Sequence, residues 1–80
     1  MEKEVIIGKL TSIFKDVFSD EKIVVEGNLT ADDIGSWNSL SHMLMITEVE
    51  NSFSIKFRLK EISKLKNVGA LIELVESKLS

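Results

Sequence analysis

The chain has 80 residues, 44% hydrophobic and 29% charged, with a net charge of −3. That length bounds it to one domain, and that balance excludes a disordered tail. With no cysteine and one histidine, disulfide frameworks, thiolate metal sites and the usual zinc ligand sets are excluded.

The N-terminal MEKEVIIGKL has charges on both sides of a three-residue apolar run. This is too short for a signal peptide, and no stretch is long enough to span a bilayer, so a cytoplasmic protein is expected. Val5, Ile6, Leu10, Ile13, Phe14, Val17 and Phe18 make one apolar stripe at helical spacing, which predicts a helix over residues 2–18. A long loop follows, SDEKIVVEGNLTADDIGSW, rich in turn formers and anchored by Ile23, Val25, Leu29 and Ile34. Thr30 and Asp33 have the spacing of a capping box and predict one short turn inside it. A loop of this length either works or wraps the core. Trp37 is expected to anchor the loop against the helices, with a partner for its N–H.

A second helix is predicted over 39–53, with Asn38 as N-cap. Met45, Ile46, Val49 and Phe53 supply its core stripe. Leu40, Met43, Leu44 and Thr47 fall outside that stripe, so the helix has more apolar surface than one core contact needs. LKEIS (59–63) reads as a short helical turn. Asn67 then caps a last helix, VGALIELVESKL, with Leu71, Ile72, Val75 and Leu79 facing inward. The expected fold is all-α, a small four-helix bundle with a long loop between helices 1 and 2 and a short third helix. Phe14, Ile46, Val49, Phe53, Leu71 and Val75 are its expected core. Gly35 and Gly69 are expected to serve backbone geometry or close packing.

Charge divides along the chain. Six acids lie between Asp16 and Asp33 against Lys22, and five bases between Lys56 and Lys66 against Glu61. No sizeable basic face is free of the acidic half, which argues against nucleic acid as a partner.

DDIGSWNSLSHM, residues 32–43, raises the question of chemistry at Ser39. One reading makes Ser39 the first residue of a helix and nothing more. A second makes it a hydrolase nucleophile with His42, three residues on, as base. No G-x-S-x-G elbow supports that, nothing orients the histidine, and so small a bundle has little room for a substrate pocket. A third makes it a modified serine, because the unpaired N–H groups at a helix start suit a phosphate. An exposed apolar face beside it would then meet successive partners. Composition does not choose among the three.

The wider pattern resembles the acyl carrier proteins. Asn38-Ser39-Leu40, within Gly35–His42, is similar to their D-S-L motif. The segment Glu48–Phe57 resembles the family's E-E-x-F-x-I stretch, and Lys66–Leu71 its T-V-G-D segment. The likeness covers nearly the whole chain and implies one carrier domain, 1–80. It implies a 4′-phosphopantetheine arm, transferred from coenzyme A onto Ser39 by a phosphopantetheinyl transferase. An acyl or aminoacyl thioester on that arm would be delivered to activating, condensing or transferring enzymes. The carrier itself would catalyse nothing, bind no metal, insert in no membrane and act as a monomer. Docking is expected through Asn38, Leu40, Met43, Leu44, Thr47, Glu48 and Glu50. Any sheltered acyl chain is expected between helix 2 and the short helix 3, lined by His42 and Ile62. Two departures stand out. Asn38 replaces the usual acid, which implies slower loading, a matched transferase or a carrier that has lost modification. The second helix carries only Glu48 and Glu50 as acids. An unmodified helical interaction module is the alternative from another class, and the cargo and pathway stay open.

Overall fold

The computed structural model describes residues 2–79. Helix α1 (Lys3–Phe18) buries Ile6, Leu10, Ile13, Phe14 and Phe18. Val5 belonged to the expected stripe but is 47% exposed. It sits about 100° round the helix from Ile6, on the flank that no neighbour covers. The helix stops at Ser19, whose φ of 52° is left-handed, and the Asp20 N–H closes the turn onto the Lys15 carbonyl (3.2 Å).

The connection from Ser19 to Asn38 lies against the helices. Ile23, Val25 and Ile34 are buried, and Leu29 and Trp37 pack on the core from its edge. The expected turn is a 3₁₀ turn, Ala31–Asp33, with the Thr30 N–H donating to Asp33 Oδ2 (3.0 Å). Two of the loop's carbonyls are used at the start of helix α4 (Val68–Leu79). There the Val68 and Gly69 N–H groups donate to the Leu29 and Gly27 carbonyls, each at 2.8 Å. Two of α4's orphan donors are thus satisfied by a loop that needs acceptors filled. The Asn67 side chain accepts a third, from Ala70 (2.9 Å).

Helix α2 (Ser39–Phe53) buries Met45, Ile46, Val49 and Phe53, and α4 buries Val68, Leu71, Ile72 and Val75. Both pack on α1. All six expected core residues are buried. Helix α3 (Leu59–Ile62) is a single turn, one residue shorter than expected, because Ser63 already serves as its cap. The Glu50 carboxylate accepts the Phe57 N–H (2.7 Å) and ties the α2–α3 connection back to α2. Glu61 does the same at α3, accepting the Arg58 N–H (2.8 Å) and pairing with Lys78 of α4 (3.0 Å). The Arg58 N–H first, and Lys78 next, hold its carboxyl below the usual carboxylate range. The architecture is the expected all-α bundle. No helix among the described residues is long and apolar enough to cross a membrane.

Trp37 closes the loop. Its ring meets Phe14 edge-on (5.4 Å between centroids) and lies tilted against Phe18 (5.1 Å). Its Nε1–H donates to His42 Nδ1 (3.1 Å), the partner that a half-buried indole requires. Burial lowers the His42 pKa from its ordinary 6.5.

Two stability predictions follow from these contacts. A Cβ on Gly69 would stand 2.8 Å from the Gly27 carbonyl oxygen, whereas one on the exposed Gly8 of α1 meets nothing within 4 Å. Urea melts should show Gly69→Ala destabilising by about 1–3 kcal/mol and Gly8→Ala stabilising by about 0.5–1 kcal/mol. The second concerns pH. The unfolded chain binds a proton at His42 more readily than the folded protein, so stability is full above pH 6.5 and declines as pH falls through the lowered folded value. Urea midpoints measured across that interval should fall with pH in the wild type and flatten in His42→Gln.

Candidate functional site

The site is the start of α2, and its geometry follows from a reciprocal cap. Asn38 Oδ1 accepts the Ser41 N–H (3.0 Å), and Ser41 Oγ accepts the Asn38 N–H (2.8 Å). Ser41 Oγ also donates to the Ser36 carbonyl (2.7 Å), and Ser36 Oγ donates to the Phe18 carbonyl (3.1 Å). This chain of bonds fixes the loop's last residues to the end of α1 and decides where α2 begins. Ser41 is buried, and the sequence reading passed over it. Its signal was the Asn38-x-x-Ser41 spacing, with serine where a capping box has glutamate.

Ser39 is thereby held as the first residue of α2, exposed, with no hydrogen bond to its hydroxyl among the described residues. The Ser39 and Leu40 N–H groups precede the first intrahelical bond, His42 N–H to the Asn38 carbonyl (2.8 Å). Neither has an acceptor among the described residues. Beside them is an open groove of about 450 Å³ lined by Ala31, Trp37, Asn38, Ser39, His42 and Met43. None of the six is acidic.

His42 does not act on Ser39. Trp Nε1 is a donor only, so His42 Nδ1 must accept, and the neutral ring carries its proton on Nε2. Among the described residues, no hydrogen bond joins His42 to Ser39. The imidazole instead lies edge to edge with Trp37 and nearly coplanar with it (6.1 Å between centroids, 18° between planes), and forms part of the groove wall.

The outer face of α2 is open, with Leu40 at 73%, Leu44 at 53% and Met43 at 45% exposure. Thr47 and Glu48 are exposed beside them, and Thr47 Oγ1 donates to the Met43 carbonyl (3.0 Å). Glu50 is half-buried on its bond to Phe57. Asn38 is occupied as the cap.

A small cavity of about 70 Å³ lies behind the groove, lined by Met45 and Leu71, by Leu65, Lys66 and Asn67, and by the groove residues Ala31, Trp37 and His42. His42 is on its wall. Ile62 is not. Because α3 ends at Ile62, that side chain packs half-buried against the core, and the residues that follow close the space. The cavity is thus set between α2 and the α3–α4 connection rather than between α2 and α3. Ala31, Leu65, Lys66 and Asn67 were not foreseen there.

No protein-family model and no curated protein matches the chain. Among solved structures, it is similar to the solution NMR structure of a holo acyl carrier protein from Geobacter metallireducens. The two share 49% identity over 91% of this chain and 84% of that one, with a TM-score of 0.86. At that identity and coverage, with the serine exposed at the head of α2 in a four-helix fold, the chain belongs to the acyl carrier protein family.

Proposed function

We propose that this protein carries acyl intermediates on a 4′-phosphopantetheine arm attached to Ser39 Oγ. The observation that carries the reading is the exposed, unbonded Ser39 hydroxyl at a helix start with two free N–H groups and an acid-free groove beside it. These residues fit the group. The Ser39 and Leu40 N–H groups, at the positive end of α2, suit the phosphate. The groove formed by Trp37, His42 and Met43 suits the arm. Bound there, the group supplies a thiol that holds an acyl chain as a thioester.

The chain's own residues present and steer. The Asn38–Ser41 cap keeps Ser39 Oγ outside the helix, where a transferase reaches it. Leu40, Met43 and Leu44, with Thr47 and Glu48 at their edge, make the surface for that transferase and then for activating, condensing or transferring enzymes. Glu50 contributes to that surface by holding the α2–α3 connection in place. In this reading the protein is a cytoplasmic, monomeric, single-domain carrier that catalyses no step itself, and each docked enzyme meets its substrate at raised local concentration.

Intact-mass measurement after incubation with coenzyme A, Mg²⁺ and a broad-specificity phosphopantetheinyl transferase tests the reading. Wild type should gain one phosphopantetheine. Ser39→Ala should gain nothing and keep its helical circular dichroism, because the lost hydroxyl supports no contact. A wild type that stays unmodified beside a working control carrier would leave α2's apolar face as the functional surface, without an arm. Asn38→Asp should load faster than wild type, since aspartate keeps the capping oxygen and adds a charge. It should also stabilise the fold by about 0.3–1 kcal/mol through the helix dipole.

A further inference from the structure

The groove at Ser39 and the cavity behind it meet at Ala31, Trp37 and His42, which line both. An arm attached at Ser39 therefore begins beside the cavity mouth, and one folded back along the groove brings its far end there. A volume of about 70 Å³ takes about five non-hydrogen atoms, at about 10–15 Å³ for each water-sized occupant. That matches the end of a short acyl group and is smaller than a long alkyl chain.

The polar side chains on the wall share one property. The Trp37 donor and His42 Nδ1 satisfy each other, which leaves His42 with Nε2–H. Asn67 Oδ1 accepts from Ala70, which leaves its NH₂. The Lys66 ammonium has no ion pair or hydrogen bond among the described residues. His42, Asn67 and Lys66 thus each offer N–H donors at the wall, and no lining residue is acidic. No buried side-chain nitrogen or oxygen lacks a partner among the described residues, so the unpaired Nε2–H is in contact with solvent. An alkyl tail that covered it would strand a donor. An acceptor would replace the displaced water, and a carboxylate would also meet Lys66.

We propose that the cavity receives the far end of a short acyl group bearing hydrogen-bond acceptors, a carboxylate above all, and that His42, Lys66 and Asn67 select it over an alkyl group of equal size. This rests on the carrier reading of Ser39.

The test loads ¹⁵N-labelled protein from malonyl-, 3-methylbutanoyl- and octanoyl-coenzyme A with the transferase, checks each load by intact mass, and records the Trp37 indole N–H signal. Malonyl and 3-methylbutanoyl have the same number of non-hydrogen atoms beyond the thioester and differ in charge. Malonyl should move the indole signal from its position in the unacylated holo protein, and 3-methylbutanoyl and octanoyl should move it less than half as far. Lys66→Met, at an exposed position, should cut the malonyl shift by more than half. Equal shifts for all three cargoes, or larger shifts for the alkyl pair, overturn the selection while leaving the carrier intact. No mass gain from any of them overturns both.

Discussion

The seat of Trp37 between α1 and α2 is the contact on which the rest of the molecule depends. A connection of some twenty residues with one short turn has no means of holding itself against a bundle this small. Phe14 and Phe18 give its last segment an aromatic floor, and His42 gives the indole an acceptor. Once Trp37 is seated, Ser36 reaches the end of α1, Ser41 reaches Ser36, and the first residue of α2 is decided. Ser39 is exposed because its neighbours on both sides are held.

The middle of the loop is tied to α4 by backbone hydrogen bonds. The Gly27 and Leu29 carbonyls cap α4, so the loop and the last helix exchange the hydrogen bonds each would otherwise lack. Close approach of the two chains requires a glycine at 69. The second half of the loop thus runs from the head of α4 to the head of α2. The cavity lies in the angle between them, with Asn67 from one helix start and His42 from the other on its wall. The cavity wall and the loop contacts are therefore made by the same few residues.

Much of this was legible. The stripes of α1, α2 and α4, the Asn38 and Asn67 caps and the Thr30–Asp33 turn are local patterns, and they appear at the expected places. The apolar excess at Leu40, Met43 and Leu44 was readable from spacing because a helix has only one inward face. What escaped was tertiary. Spacing tells that Trp37 needs an acceptor, but not that His42 supplies it. It tells that Gly69 has a reason, but not that the reason is Gly27. Glu50 read as a surface acid, yet its carboxylate is engaged by a backbone N–H seven residues on. Spacing also does not tell that Ile62 lies off the cavity wall, because a one-turn helix does not decide which flank of its connection closes a cavity.

The chain contains one tryptophan and no tyrosine. That single indole touches the core through Phe14, the imidazole through Nε1 and the groove beside Ser39 through its edge. Fluorescence excited beyond the phenylalanine absorption band therefore originates at the wall where an arm would lie, and the molecule carries its own optical probe of what is attached to it.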